Sequence, residues 1–214
     1  MAKKNSTPKT VKVLTQKLRD EFQKVLKDTN DLLKFLNENN IDPNGLKYKF
    51  DENNDYNHYI FFDCLDEAPI EAFQYFIDKA VDFSLIGHVN SGCILHTWVV
   101  HKDINKLKLV LEHGANPNIK NSYGNTPIVE FIRRYGDGKM EEVALNNEYV
   151  NKPKDFDTEL KFIELLLKHG ADPTIKNNYG ESALSWIQER KEEGFDDDDN
   201  KKLELLVKKY FPNS

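Results

Sequence analysis

The sequence predicts an all-α fold: a solenoid of about four stacked helix-pair repeats behind an N-terminal helical capping pair, with a long insertion in the third repeat. Three observations lead there. First, the chain repeats itself. Shifted by 56 positions, Leu109 to Ile128 falls on Leu165 to Leu184, and LVLEHGANPNIKNSYGNTPI matches LLLKHGADPTIKNNYGESAL at 11 of 20 positions. Second, apolar residues elsewhere recur at spacings of three and four, the signature of one helix face. Third, 39% hydrophobic and 11% aromatic content in 214 residues is enough for a core. The longest uninterrupted apolar run, Tyr59 to Phe62, is only four residues. A bilayer span needs about 20.

At the start, Met1 to Thr10 carries lysines without an apolar stretch behind them, so no secretory signal is expected, and residues 1–7 read as a disordered start. Thr7-Pro8 has the form of a cap followed by a first helical proline. Val11, Leu14, Leu18, Phe22 and Val25 then trace one apolar helix face. Leu32, Leu33, Phe35 and Leu36 form a second helix that runs into Asn40-Ile41-Asp42-Pro43-Asn44. Residues 8–44 are therefore expected to be a capping pair with a polar, Lys-rich outer face. Residues 45–87 hold a degenerate repeat, in which Phe73, Phe76 and Ile77 give a helical stripe and Ala80-Val81-Asp82 stands where later units have Gly-Ala-Asn or Gly-Ala-Asp. The remaining repeats are placed at 88–120, at 121–176 with an insertion at about 136–156, and at 177–214 with the closing cap.

In the duplicated segment each residue type has a mechanical task. Leu109 to Leu111 and Leu165 to Leu167 end an amphipathic helix, and Gly114 or Gly170 takes the left-handed position that terminates it. Asn116-Pro117 and Asp172-Pro173 cannot continue the helix, because proline lacks the amide donor and restricts its predecessor. The chain then runs extended to Tyr123-Gly124 or Tyr179-Gly180, a turn needing positive φ. Thr126 with Pro127, and Ser182 with Ala183, restart a helix. Leu203, Leu205, Leu206, Val207, Tyr210 and Phe211 supply the closing helix.

This unit resembles the ankyrin repeat, in which a helix pair is followed by a hairpin-like finger at a period of about 33 residues. One period upstream of Gly124 lies His88-Val89-Asn90-Ser91-Gly92-Cys93-Ile94-Leu95-His96, where Leu95-His96 takes the place of the Leu-His in the family's Thr-Pro-Leu-His motif. The match is specific over Leu107–Thr126 and Phe162–Gly180 and faint toward the N-terminus.

Two departures stand out. Gly124 to Gly180 spans 56 residues, 23 more than the period. The excess lies between Tyr135 and Asp157, and Met140 to Val150 within it is expected to form a short helix. Such insertions carry binding in some repeat proteins and are tolerated loop growth in others. The last repeat has a longer link near Glu192 to Asn200 holding Asp196-Asp197-Asp198-Asp199. It lacks the alternating ligands and glycine of a calcium loop and reads as a solvated acidic loop.

No phosphate loop, nucleophile elbow or paired metal-ligand motif is present, so no catalytic residue, metal or cofactor is expected and the chain reads as a non-enzyme. His96 and His101, five apart, do not share a helix face. The resemblance implies instead that His96 hydrogen-bonds neighbouring repeats together. His113 and His169 precede the helix-ending glycines, which implies capping or surface roles. Cys64 and Cys93 are too few for a disulfide framework, which fits a reducing, cytoplasmic setting, and they read as buried small hydrophobes. Export by a specialised secretion system leaves no readable signal and stays open.

The net charge of −6 argues against nucleic acid as the main partner. No membrane partner is expected either. The resemblance implies protein binding through the fingers and inner helices. On the fingers the candidate contacts are Ser122, Tyr123, Asn125, Asn178, Tyr179 and Glu181. On the inner helices they are Arg133, Arg134, Glu189 and Arg190, extended upstream by Val89, Asn90 and His101. Tyrosine offers large rigid contact area at low entropy cost, although each ring would serve equally to pack on its neighbouring finger. Residues 1–28 carry eight basic and three acidic groups, leaving the rest of the chain at −11, so a basic protein partner is expected. The function expected is a non-catalytic protein–protein interaction scaffold, of the kind a bacterial immunity protein uses to neutralise a toxin. A secreted effector or adaptor that holds a target in another cell is the first alternative, and an enzyme built on the 136–156 insert the second.

Overall fold

The computed structural model describes residues 14–39, 47–48, 58–59, 61, 67–84, 92–96, 103–136, 140–145, 148–153, 156–192 and 198–212. The chain divides into two compact units, Met1–Ile94 and Leu95–Ser214, a division that falls inside the expected 88–120 repeat.

In the first unit, α1 spans Gln16–Val25, and the Thr15 hydroxyl accepts from the Leu18 amide at 3.4 Å. The start expected at Thr7-Pro8 lies outside the described residues, as does Val11. Leu14 and Phe22 of the apolar face are buried, while Leu18 and Val25 are half-buried. Helix α2, Thr29–Glu38, starts where the Asp28 carboxylate accepts from the Asp31 amide at 2.9 Å. The Phe22 and Phe35 rings meet at 6.0 Å between α1 and α2. Residues Lys47–Tyr48 (β1) and His58–Tyr59 (β2) pair antiparallel, Lys47 opposite Tyr59 and Tyr48 opposite His58. Helix α3, Ile70–Asp78, packs on α2 and buries Ala72, Phe73, Phe76 and Ile77.

The end of α3 matches the ends of two later helices bond for bond. The Ala80 amide donates to Ile77 O at 2.9 Å and the Val81 amide to Phe76 O at 3.1 Å. In α4, Ile104–Glu112, Gly114 bonds Leu111 O and Ala115 bonds Val110 O, both at 3.2 Å. In α6, Phe156–Lys168, Gly170 bonds Leu167 O at 3.0 Å and Ala171 bonds Leu166 O at 2.9 Å. Each is a Schellman end, and each requires positive φ at its central residue. Gly114 and Gly170 supply it at +89° and +90°; Ala80 is held there at +54°. The side-chain oxygens of Asp82, Asn116 and Asp172 then accept from the amides two residues on, Ser84, Asn118 and Thr174, at 2.8 to 2.9 Å.

The second unit is built from two layers. Helix α5 (Pro127–Gly136) and α7 (Ala183–Glu192) pack on each other, while α6 packs on both α4 and α8 (Asp198–Tyr210). Between the layers α5 meets α6, where the Phe131 and Phe162 rings stack at 5.5 Å, and α7 meets α8. Helix α7 starts on a reciprocal cap. Ser185 Oγ accepts from the Ser182 amide at 2.8 Å, and Ser182 Oγ from the Ser185 amide at 3.2 Å. Thr126 holds the matching place before α5, yet among the described residues its buried hydroxyl has no hydrogen-bond partner.

The insertion is not the short helix expected over Met140 to Val150. It forms two antiparallel strands, β3 (Met140–Leu145) and β4 (Glu148–Pro153), with Met140 opposite Pro153 and Leu145 opposite Glu148. Val143, Tyr149 and Val150 are β-formers. The acidic run is also not wholly a loop. Asp198 and Asp199 form the first turn of α8, where carboxylates complement the helix dipole. In the closing helix Leu203 and Val207 are buried, but Leu205 points outward and is 68% exposed, because two residues turn a helix by about 200°. Among the described residues no helix is long and apolar enough to cross a membrane.

Candidate protein-binding edge

The finger edge is organised by two asparagines at equivalent positions, Asn121 and Asn177. Asn121 Oδ1 accepts from the amides of Tyr123 and Asn125, both at 3.0 Å, and Asn177 Oδ1 accepts from those of Tyr179 and Glu181, both at 2.9 Å. Their own carbonyls accept from Gly124 and Gly180 at 2.9 and 3.2 Å, closing each turn. The geometry leaves the tyrosine side chains directed outward, Tyr123 49% and Tyr179 70% exposed.

Bonds between the fingers fix their spacing. The Asn178 amide donates to Tyr123 O at 3.0 Å, Asn178 Nδ2 to Ser122 O at 3.1 Å, and Lys120 Nζ to Lys176 O at 2.8 Å. Asn118 bridges the segments below: its Nδ2 donates to Gly170 O at 2.9 Å and its Oδ1 accepts from the Asp172 amide at 2.7 Å. Gly124 (φ +77°) admits no side chain, since a Cβ there would lie 2.7 Å from the Asn178 nitrogen.

Under the edge runs a polar network. Glu130 Oε1 accepts from Asn121 Nδ2 at 2.9 Å and Asn125 Nδ2 at 2.7 Å, and its Oε2 accepts from Arg133 at 3.3 Å. Asn177 Nδ2 donates to Asn125 Oδ1 at 2.7 Å and to Glu181 Oε2 at 2.9 Å. His96 Nε2 lies 2.9 Å from Asn125 O. A carbonyl only accepts, so that nitrogen carries the proton. His96 thus spans 29 residues to tie the segment before α4 to the first finger. His113 works locally, its Nδ1 donating to Leu109 O at 2.7 Å at the end of α4.

The structure brings Ser122, Tyr123, Asn178, Tyr179 and Glu181 onto one edge. Asn125 belongs beneath it: the residue is 5% exposed and its side chain is engaged by Glu130 and Asn177. Arg133 is exposed and paired with Glu130 rather than held free on the inner helix. Glu189 is exposed and Arg190 half-buried on α7. Arg134 lies on α5 with its side chain outside the described residues, and Val89, Asn90, His101 and Cys64 lie outside them altogether. Cys93 is buried. The residues that sequence reasoning passed over are Asn121, Asn177 and Glu130. The signal was present for the first two, since both rows of the duplication read Lys-Asn at this point.

No family model matches the chain. A protein of fowlpox virus (strain NVSL) named as an ankyrin repeat protein is 30% identical over 89 residues, covering 42% of this chain and 11% of the relative. An ankyrin repeat protein of Acanthamoeba polyphaga mimivirus is 33% identical over 82 residues, covering 38% of this chain and 12% of the relative. These similarities support an ankyrin-repeat family for the chain. Its helix pairs, Schellman ends and hydrogen-bonded fingers are the ankyrin arrangement expected from the duplicated segment. The matches span about a tenth of the length of these viral relatives.

Proposed function

We propose that this ankyrin-repeat chain is a non-catalytic scaffold that binds another protein along its finger edge, with Tyr123 and Tyr179 as anchors. The observation that carries this reading is the pair of large outward rings, 49% and 70% exposed, on a backbone fixed by finger-to-finger hydrogen bonds. A solvent-facing aromatic on a preorganised backbone loses little entropy on binding, the condition under which tyrosine becomes a hot spot. Neither ring makes a ring–ring or cation–ring contact among the described residues, which disfavours a purely structural role. The partner, in this reading, presents a basic surface to a chain that stands at −11 beyond residue 28. Neutralisation of a cationic toxin by an immunity protein is one form such binding takes.

The test begins with capture of the partner, followed by affinity measurements at low and high salt. Tyr123→Ala and Tyr179→Ala should each weaken binding at least tenfold. Raising the salt should weaken it further by slowing encounter. Affinity indifferent to both tyrosines would rule out the finger edge, and an acidic captured partner would rule out the charge argument.

A further inference from the structure

The layer of α4, α6 and α8 carries a groove of about 520 Å³ on the face turned away from α5 and α7. The burial pattern fixes that placement. Helix α6 buries Phe162, Ile163, Leu166 and Leu167, so Lys161, Glu164, Leu165 and Lys168 fall on its opposite side and line the groove. Helix α4 contributes Ile104, Asn105 and Lys108, and α8 contributes Tyr210.

The charges here run opposite to those of the protein as a whole. Glu164, the carboxylate lining the groove, is already taken: Lys209 Nζ sits 2.7 Å from Oε1, and the Tyr210 hydroxyl donates to the same oxygen at 3.2 Å. Among the described residues Lys108 pairs only with the exposed Glu112, at 3.7 Å. Lys161 and Lys168 are exposed and lie within ion-pair distance of no carboxylate among the described residues. Three lysines, Lys108, Lys161 and Lys168, and one carboxylate, Glu164, thus line the groove, over a half-buried floor of Ile104, Leu165 and Tyr210. Lys161 and Lys168 stand seven residues apart on one helix face, about 10.5 Å along the axis. In an extended strand, residues two and four positions apart share a face, and four residues cover about 13 Å, a span that the two long lysine side chains can meet.

We propose that this groove is a second docking site, taking an extended acidic segment of a partner protein with two carboxylates four residues apart and an apolar residue midway between them, so that all three share one face. The carboxylates meet Lys161 and Lys168, and the apolar side chain lies on Leu165 and Tyr210. The chain then joins two partners of different charge, one at the fingers and one at the back of the helices.

The probe is a fluorescent peptide, Gly-Asp-Ser-Leu-Ser-Asp-Gly, titrated with the full chain and followed by anisotropy. The expected result is saturable binding that weakens several-fold between low and physiological salt. It should fall at least tenfold in Lys161→Glu/Lys168→Glu and several-fold in Lys161→Gln/Lys168→Gln. Lys24→Glu/Lys34→Glu, an equal charge change on α1 and α2, should leave it intact. Tyr123→Ala and Tyr179→Ala should also leave it intact, which separates this site from the finger edge. The proposal is overturned if binding does not saturate, if the control pair loses as much as the groove pair, or if an oligonucleotide displaces the peptide at lower concentration. It is equally overturned if sedimentation shows a concentration-dependent dimer abolished by Lys161→Glu, since the occupant is then a second copy.

Discussion

Single residues set the two features on which the fold depends, the helix ends and the finger turns. Ala80 occupies a left-handed position that costs a residue with a Cβ about 1 kcal/mol, and the equivalent positions use glycine. Ala80→Gly should therefore stabilise the chain by about 0.5–1 kcal/mol, read as a higher urea midpoint. The glycines themselves should not respond equally. At Gly170 a Cβ meets nothing within 4 Å, so Gly170→Ala should cost only the backbone strain, about 1 kcal/mol. Gly124→Ala should cost clearly more, because the new Cβ presses on Asn178 and displaces its bond to Tyr123 O. Equal midpoints for the two variants would contradict the finger-to-finger contact. Asn121→Ala should lower stability by about 2–3 kcal/mol, since it leaves two backbone amides and a buried carboxylate short of partners.

At the scale of elements, the Glu164 link between α6 and α8 makes stability depend on pH. The hydrogen bond from Lys209 holds the Glu164 carboxyl below its ordinary 4.5, with Tyr210 and Lys168 acting in the same direction and partial burial opposing them. A carboxyl depressed in the folded state contributes stability above its unfolded pKa and loses it as pH falls through the folded value. Glu164→Gln should thus lower the urea midpoint modestly at pH 7, and variant and parent should converge in acid below the normal carboxylate range. The element scale also shows what could be read in advance. The Gly-Ala-Asx-Pro turns were legible because backbone sterics dictate them, and even Ala80-Val81-Asp82 gave its place away. The burial of Asn125 is not legible in the sequence, because it depends on Glu130 and Asn177, which no local pattern connects to it. The β3–β4 hairpin does not announce itself because neither MEEVAL nor EYVNKP alternates apolar and polar residues, the pattern that marks a half-buried strand.

At the scale of the whole molecule, the repeats and the insertion obey different rules. The hairpin's main contacts are between its own strands, and it leaves the helical layers at the end of α5 and returns at the start of α6. Replacing Met140–Pro153 by a short Gly-Ser link should therefore shift the melting temperature little, because loop-closure entropy changes by less than about 1 kcal/mol over such lengths. A collapse of the far-ultraviolet helical signal in that variant would show the hairpin to be part of the core.

The finger ladder has a consequence for how such a chain can change over generations. Tyr123 and Tyr179 are held in step by the Asn178 amide and side chain reaching across to the neighbouring turn, not by the stretch of sequence that joins them. Length between α5 and α6 is therefore a free parameter. A gene can lengthen, shorten or exchange that detour without respacing the two rings, so reach and recognition can be edited independently.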